Sequence, residues 1–488
     1  MEEKILASWI GIALYMILVI YVGVKYYAKI KSISDFVVAG RSLGFWVAWG
    51  TILATWFCSG TSLGGAQMTY LFGMRGVIMD PIASALAVIL FGLFFVAKLR
   101  KLKYITVADF FRYRYGPEME IASAIVQILG YIGWLGGMLL AYSIVFQILL
   151  GWEREPGLYL ATIITIIYTT LGGMFAVALL DFIRVSIFWV AMWFGLYFAF
   201  AYLGGASALV SKLSPDDFSI LPGSGYEYLG YVGLFGLLYY IASWINQPLG
   251  SISCQDLVQR GLSAKDEKTS SRAAIAAGVS YWIIGLTGGA LYGLIAKVLF
   301  PVLDQPEMAM PMVVMYTAPA WVFALFVVGL LATIMSSADS AALIPPSMFV
   351  RNILPYIKSV SEEKAVQIMR IIVVVGTLGA LWIALYLPSI YFLTQMAWYM
   401  MMFVQAIPFI MGIYWKKANR IGAITQAVFN VAMWIVLGSY FYGQTGDVWA
   451  AFYMPGPIIM PLGLVVFVVT SLLTQHKSPP KELVELPA

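Results

Sequence analysis

Charged residues are scarce in this chain of 488 residues. Lys, Arg, Asp and Glu together make up 11% of it, whereas 61% of the residues are hydrophobic. A water-soluble protein of this size needs a much larger polar surface. The composition therefore argues against a soluble enzyme or binding protein and indicates that the lipid bilayer is the solvent of this chain.

Histidine and cysteine are nearly absent. The chain has a single histidine, His476, and two cysteines, Cys58 and Cys254. So few of these side chains argue against a disulfide framework, a Cys/His metal centre and a proton relay through histidine. The sequence also lacks a nucleophile–base pair, a phosphate-binding loop and metal-ligand spacing, so it predicts neither an enzyme nor an organic cofactor.

Hydrophobic segments of about 20 residues, the length that crosses a bilayer, recur along the chain. We count about thirteen, from residues 6–27 to residues 452–474. The predicted fold class is therefore an all-α integral membrane protein with one membrane domain.

Basic residues fall on alternate loops between these segments. If the N-terminus lies outside, roughly 24 of the 29 Lys and Arg residues are cytoplasmic, as the positive-inside rule requires. The net charge of +5 then reflects topology and gives no reason to expect a nucleic-acid partner. We predict a multi-pass protein of the cell membrane with its N-terminus outside and its C-terminus in the cytoplasm.

Two hydrophobic segments contain helix-breaking residues near their middles. The second segment has the run Thr55–Gly60, and the seventh has Asn246–Gly250, which includes Pro248. Broken helices at matching positions of two halves point to the binding site of a transporter, because unwound backbone at membrane depth must be buried in protein or line a cavity. A simple packing notch or kink is the alternative.

Together the breaks favour a five-plus-five inverted-repeat core. On this interpretation an extra helix (6–27) precedes the first repeat (44–204), and the second repeat follows (227–412). Two C-terminal helices (418–474) and a cytoplasmic tail (475–488) complete the chain.

The ninth segment carries a stripe of hydroxyl groups. Thr333, Ser336, Ser337 and Ser340 stand three, four and seven residues apart, so they share one helical face. Hydroxyl oxygens inside a membrane suit a hard cation, and sodium is the obvious candidate. Alternatively, these hydroxyls bond to carbonyls of their own helix or join helices together.

Two carboxylates also lie in apolar surroundings. Asp339 belongs to the same turn as Ser340, and Asp181 lies in the run Ala176–Phe188. An unneutralised charge at that depth costs at least roughly 2.5 kcal/mol, so each needs a partner or a bound cation. An ion pair between Asp181 and Arg184, three residues later, is the alternative to a cation site.

Several motifs in order make the chain resemble the sodium:solute symporter family. They cover nearly the whole length: Val38-Ala39-Gly40-Arg41, Ala54-Thr55 with Gly64-Gly65, Tyr168-Thr169-Thr170-Leu171-Gly172-Gly173-Met174-Phe175-Ala176-Val177 leading to Asp181, Gln255 with Val258-Gln259-Arg260, and Met335-Ser336-Ser337-Ala338-Asp339-Ser340.

The resemblance implies a sodium site between the first broken helix and the hydroxyl-bearing helix. Its ligands would be backbone carbonyls and hydroxyls of five residues: Ala54, Phe57, Thr333, Ser336 and Ser337. Asp181, Asp339 and Ser340 are candidates for a second cation or proton site. Because Arg184 stands where the family usually has glutamine, its guanidinium could replace a second cation, and we predict one sodium ion per cycle.

The resemblance also implies a solute site lined by Trp56, Thr61, Asp80, Trp134, Asn246 and Gln247. The two tryptophans match positions that bind the quaternary ammonium in choline-transporting relatives, but Cys254 replaces a third tryptophan, and simple packing is the alternative role. Asp80 suits a hydroxyl or an amine and would repel a monocarboxylate. The class of solute stays open at this point.

The sequence thus predicts a secondary active transporter that carries a small polar or zwitterionic solute with sodium by alternating access. Proton coupling through Asp181 or Asp339 is one alternative, and a transporter-like solute sensor is another. The expected partners are the solute and membrane lipid, with no nucleic acid and no obligatory protein partner.

Overall fold

The computed structural model of the protein describes residues 2–27, 41–169 and 174–485. Two stretches of the family-like motifs, residues 38–40 and 170–173, lie outside these described residues. Within the described ranges the chain is helical, and its only β-bridges are isolated ones.

The α-helices are numbered in chain order. They are α1 Glu2–Tyr27, α2 Phe45–Trp56, α3 Gly65–Phe72, α4 Ser84–Leu90, α5 Val96–Leu102, α6 Val107–Tyr115, α7 Pro117–Leu150, α8 Arg154–Thr169, α9 Met174–Leu203, α10 Ala206–Lys212, α11 Gly233–Gly250, α12 Gln255–Leu262, α13 Glu267–Gly285, α14 Leu291–Leu299, α15 Ala309–Thr317, α16 Ala320–Asn352, α17 Leu354–Ile357, α18 Glu362–Tyr386, α19 Ile390–Met401, α20 Ile407–Tyr414, α21 Arg420–Thr445, α22 Val448–Tyr453 and α23 Gly456–Leu473. Single π-helical turns join several of them: Gly60–Gly64, Ile78–Ala83, Phe91–Phe95, Leu286–Ala290 and Met402–Ala406.

Ten helical segments in the described ranges are long and apolar enough to cross a membrane. Three further helices, α2, α8 and α11, occupy the remaining predicted crossings and are 12, 16 and 18 residues long. The all-helical membrane fold predicted from hydropathy is confirmed.

The first break lies where the sequence predicts it. Helix α2 ends at Trp56, and the Cys58 N–H donates to the Trp56 carbonyl at 2.9 Å, which leaves the regular helical pattern. The chain resumes as the π-turn at Gly60 and continues into α3. A Cβ on Gly64 would come within 3.1 Å of the Tyr391 backbone, so glycine there lets α19 approach this turn.

The second break lies slightly later than the sequence suggests. Helix α11 continues through Pro248 to Gly250, a 3₁₀ turn covers Ser251–Ser253, and Cys254 is extended before α12 begins. Proline removes only its own N–H donor from a helix and distorts the turn before it, so neighbouring helices can hold that part helical. Asn246 and Gln247 therefore lie on a helix beside the break.

Helix α16 forms the centre of the bundle. It packs against α7, α9 and α1 and is buried on nearly every side, as a helix that is apolar all round should be. Peripheral helices instead expose large apolar side chains such as Ile17, Trp382 and Ile435. This arrangement places the hydroxyl stripe of α16 in the interior.

The two ends of the described chain contact different parts of the helical bundle. Near the N-terminus, Lys4 Nζ donates to the Met315 carbonyl at 2.6 Å, in helix α15, which follows a connection that the sequence assigns to the outside. At the other end, Arg114 donates to the Lys481 carbonyl at 2.6 Å, and Lys103 pairs with Glu485 at 3.1 Å. The orientation of the whole chain in the membrane stays a prediction.

Candidate functional site

The hydroxyl stripe of α16 contacts the end of α2 at the first break. Ser337 Oγ donates to the Thr55 carbonyl at 3.2 Å, in the last turn of α2. Ser336 Oγ donates to Asp181 Oδ1 at 2.5 Å, whereas Thr333 Oγ1 bonds back to the Gly329 carbonyl at 2.8 Å. Ser340 Oγ donates to the Ser336 carbonyl at 3.2 Å. Two hydroxyls therefore join helices, and two bond within their own helix.

Backbone oxygens are available at the same junction. Because the Cys58 N–H donates to Trp56, it does not make the usual helical bond to the Ala54 carbonyl four residues back. Ala54 and Phe57 are buried at the end of α2. Carbonyl and hydroxyl oxygens thus lie together in a buried position. Oxygen atoms are the ligands that a hard cation prefers.

Asp181 lies on α9 within a buried network of charges. Its carboxylate is 3.5 Å from Arg184 and 3.7 Å from Arg260, and it accepts a hydrogen bond from Thr51 at 2.8 Å. Arg184 also approaches Asp339 at 3.3 Å. Two carboxylates and two guanidinium groups therefore balance each other beside the hydroxyl stripe.

The remaining polar groups of this network are bound as well. Arg260 donates to Ser340 Oγ at 2.7 Å and to the Thr51 carbonyl at 3.2 Å, and Arg184 donates to the Tyr15 hydroxyl at 2.9 Å. The sequence interpretation identified the pair of Asp181 with Arg184 but missed Arg260. Arg260 is 79 residues away along the chain, and only the packing of α12 against α2 brings it near.

A separate, narrow cavity with room for about one water molecule lies between the two breaks. Four of the predicted solute-binding residues line it: Trp56, Asp80, Trp134 and Gln247. Thr61 contacts it indirectly through a hydrogen bond to Asp80 at 2.9 Å. Asn246 instead bonds to Met79 Sδ at 3.3 Å and to the Gln395 carbonyl at 3.5 Å.

Asp80 is held by neutral donors. Its carboxylate accepts hydrogen bonds from Tyr281 at 2.6 Å, from Thr61 at 2.9 Å and from Gln395 at 3.2 Å. The side chain is 3% exposed, and no basic nitrogen of the described residues lies within 4.0 Å of it. The cavity thus contains a buried carboxylate whose neighbours are polar but uncharged.

Aromatic rings form a row along the cavity. Trp398 stacks on Trp56 with ring centroids 5.7 Å apart and lies 5.5 Å from Trp134. Tyr281 is 6.3 Å from Trp56 at one end, and Tyr131 is 6.0 Å from Trp398 at the other. Trp398 supplies a third tryptophan to the cavity. The sequence suggested that only two would be present, because Cys254 replaces the third tryptophan of choline-transporting relatives.

Several cavity residues were missed from the sequence. They belong to later helices: Asp256, Tyr281, Thr394, Gln395 and Trp398. A polar residue inside an apolar segment is a signal that could have drawn attention to Gln395, whereas Asp256 lies in a short polar helix. Nothing in the local pattern around Tyr281 or Trp398 separates them from ordinary aromatic packing.

Comparison with known proteins agrees with this arrangement. The model of the sodium:solute symporter family matches residues 36–429. High-affinity choline transporter 1 of Drosophila melanogaster is 29% identical over 462 residues, covering 90% of this chain and 72% of that protein. The osmoregulated proline transporter of Bacillus subtilis is 25% identical over 495 residues, covering 94% of both.

Among solved structures, the substrate-bound outward-open state of a Na⁺-coupled sialic acid symporter has the same fold. It matches with a TM-score of 0.78 at 19% identity, over 98% of this chain and 99% of that chain. The chain therefore belongs to the sodium:solute symporter family, and it is a multi-pass membrane protein that carries out sodium-coupled secondary transport.

Proposed function

We propose that this transporter carries a small organic cation of the choline type together with one sodium ion. The observation that carries the proposal is the Asp80 carboxylate, which is buried in an aromatic cavity without a basic partner among the described residues. A charge in such a place is expensive unless an opposite charge joins it. A cationic solute supplies that charge, whereas a carboxylate solute would be repelled.

The aromatic row supports the same class of solute. Trp56, Trp134 and Trp398 all line the cavity, and a cation over an aromatic face gains roughly 0.5–2 kcal/mol for each well-placed ring. Choline transport by the Drosophila relative agrees with this chemistry. A quaternary ammonium is favoured because it binds ring faces and needs no hydrogen-bond acceptor of its own.

For sodium, we propose the junction of α2 and α16. The backbone carbonyls of Ala54, Phe57 and Thr333 and the hydroxyls of Ser336 and Ser337 would hold the ion there. The hydrogen bond from Ser337 to the Thr55 carbonyl supports this placement, because it brings that hydroxyl to the end of α2. Ser336 donates to Asp181 on α9 and would have to turn toward the junction to bind the ion.

For the second position, we propose that no further cation binds beside Asp181, Asp339 and Ser340. Arg184 and Arg260 already neutralise the two carboxylates, and Arg260 occupies the Ser340 hydroxyl. Membership of the sodium:solute symporter family favours sodium, and not a proton, as the coupling ion.

The mechanism follows from differential affinity. Sodium binding from outside joins the end of α2 to α16 and so stabilises the conformation in which the cavity opens outward. The cationic solute then binds between Asp80 and the aromatic row. Closure and inward release follow when the lower internal sodium concentration empties the junction.

The test is ligand-stabilised melting of the purified protein with choline, betaine, proline, pantothenate and a sugar, in sodium or in potassium chloride. We expect choline to raise the melting temperature, and only in sodium. Stabilisation by betaine, proline or pantothenate but not by choline would overturn the assignment of a cationic solute.

A further inference from the structure

A second carboxylate lines the solute cavity. Asp256 lies in the first turn of α12, directly after the second break, and its side chain is fully buried. One carboxylate oxygen, Oδ1, accepts a hydrogen bond from the Tyr131 hydroxyl, which in turn accepts one from the Asp256 N–H at 2.9 Å. The other oxygen, Oδ2, has no hydrogen-bond partner among the described residues.

No described basic group neutralises this carboxylate. Arg260, one turn later, donates to the backbone carbonyl of Asp256 at 3.2 Å, and its guanidinium is shared with Ser340 and Asp181. The thiol of Cys254 is the other polar neighbour and interacts with the Asp256 carboxylate. Leaving a buried acceptor oxygen without a hydrogen bond costs free energy. A bound molecule that donates a hydrogen bond to this oxygen therefore binds more favourably.

The two cavity carboxylates stand at opposite ends of the aromatic row. Tyr281 bonds to Asp80 and contacts Trp56, whereas Tyr131 bonds to Asp256 and contacts Trp398. The acceptors differ in one respect. Asp80 already receives three hydrogen bonds, and Asp256 has an open oxygen.

From this geometry we infer that Asp256 is a specificity-determining residue that accepts a hydrogen bond from the far end of the cationic solute. The inference rests on the proposed cationic solute. The cargo would carry its charged group against the rings and Asp80 and present an O–H or N–H donor to Asp256 Oδ2. A hydroxyl, as in choline, and a second ammonium, as in a short diamine, share this chemistry.

A hydrogen bond from the solute to Asp256 would give closely similar cations different affinities. Tetramethylammonium has the charge of choline but no donor, and the methyl ether of choline keeps the oxygen but loses the proton. Betaine places a carboxylate at the end where Asp256 already carries a negative charge. Wild-type protein should therefore prefer choline to each of them by roughly tenfold or more, the usual range for a hydrogen bond to a charged group.

The test is calorimetric binding in saturating sodium to wild-type protein, Asp256→Asn and the control Glu363→Gln, which removes one negative charge from an exposed helix end. The probes are choline, its methyl ether, tetramethylammonium, betaine and butane-1,4-diamine. We expect the preference for choline over tetramethylammonium to fall from at least about tenfold to within about threefold in Asp256→Asn. Glu363→Gln should behave as wild type.

The outcomes are distinct. If wild-type protein binds neither choline, nor tetramethylammonium, nor the diamine, the proposed function fails. If it binds these cations but tolerates the methyl ether as well as choline, or keeps its preference in Asp256→Asn, the role of Asp256 is overturned. If the diamine binds more tightly than choline, and this preference is lost in Asp256→Asn, the donor is an ammonium group. If Asp256→Asn does not fold, the comparison of choline with its methyl ether in wild-type protein decides whether Asp256 accepts a hydrogen bond from the solute.

Discussion

Asp80 and Asp181 are both buried carboxylates, but their partners give them different roles. Asp181 lies within 4 Å of two arginines, whereas Asp80 contacts only neutral donors among the described residues. A neutralised carboxylate holds helices together. An unneutralised one would attract a cation, and on the proposed function this difference at residue scale separates the charge network from the solute cavity.

We expect Asp80→Asn to weaken choline binding by at least about tenfold, because a buried charge pair with the solute is lost. Calorimetry in saturating sodium measures the effect, with Glu363→Gln as the control for loss of one negative charge. Unchanged choline affinity in Asp80→Asn would show that the carboxylate does not attract the solute.

The hydroxyl of Ser337 gives a second prediction at this scale. Ser337→Ala should raise the half-saturating sodium concentration by roughly tenfold, because one ligand oxygen is lost. Ser347→Ala is the matched control, since Ser347 lies on the same helix and bonds only to the Leu343 carbonyl at 2.7 Å. Sodium titration of uptake distinguishes them, and equal values in both variants would remove Ser337 from the site.

At the scale of elements, the network of Asp181, Arg184, Arg260 and Asp339 joins three helices. It connects α9 to α16 through Arg184 and Asp339, and α9 to α12 through Asp181 and Arg260. Removing one charge from such a network leaves the others buried and unbalanced, which costs about 3–5 kcal/mol. The network therefore holds these helices together, and we propose that its guanidinium groups also take the place of an additional cation.

Arg184→Met tests this dual role. We expect Arg184→Met to have a lower melting temperature than wild type in potassium and to regain part of that melting temperature in sodium. The sodium dependence of its uptake should become steeper, because a second sodium ion replaces the lost guanidinium. Arg184→Lys keeps the charge and should retain dependence on one ion. Recovery that is the same in potassium and sodium would argue against an ion taking the place of Arg184.

A second set of elements packs on the 3₁₀ turn Gly73–Val77, which precedes the turn that carries Asp80, and we expect it to cover the cavity. The segment after α10 is fixed by Arg75, which is 8% exposed and donates to Asp216 at 2.7 Å and to the Leu221 carbonyl at 2.6 Å. Lys297 pairs with Asp217 at 2.5 Å. Partial burial raises the pKa of Asp217, but the hydrogen bond and charge of Lys297 outweigh it and hold the pKa below its usual value.

Loosening this cover should expose the cavity. We expect Arg75→Ala to increase the labelling rate of Cys58, a cavity-lining thiol, by a small cationic thiol reagent several-fold, and choline to protect it. Labelling of Cys58→Ser gives the background from Cys254. An unchanged rate in Arg75→Ala would show that these ion pairs do not close the cavity. Because the pKa of Asp217 is held below its usual value, the carboxylate stays ionised, and the pairing should not change between pH 5 and pH 8.

At the scale of the whole molecule, the charge of the solute sets the driving force. One sodium ion and one monovalent cation move two charges, and each contributes roughly 2.3 kcal/mol at about 100 mV. With a tenfold sodium gradient the total is about 6 kcal/mol, enough for accumulation on the order of 10⁴-fold. A zwitterionic solute with one sodium ion would gain only one of these electrical contributions.

The ratio of charge to solute is therefore measurable and specific. In proteoliposomes at clamped voltage we expect two charges to cross for each choline molecule. A ratio of three would indicate a second sodium ion, and Asp181 would then need to be reconsidered as a ligand. A ratio of one would contradict either sodium coupling or the cationic solute.

The sequence by itself determined the class of the protein. Its low content of charged residues and its apolar segments required a membrane fold. The placement of Ser336, Ser337 and Asp339 on one helix could be predicted, because helical periodicity depends on local sequence. The first break was also predictable, since glycine and small polar residues weaken a helix where they stand.

Only the tertiary structure decided which distant residues share a site. Trp398 and Asp256 are ordinary residues of apolar or helical segments until the packing of α19 and α12 brings them to one cavity with Trp56 and Asp80. Arg260 likewise reaches Asp181 from another helix. The physical reason is that charge compensation depends on distance in space, which the order of residues along the chain does not specify.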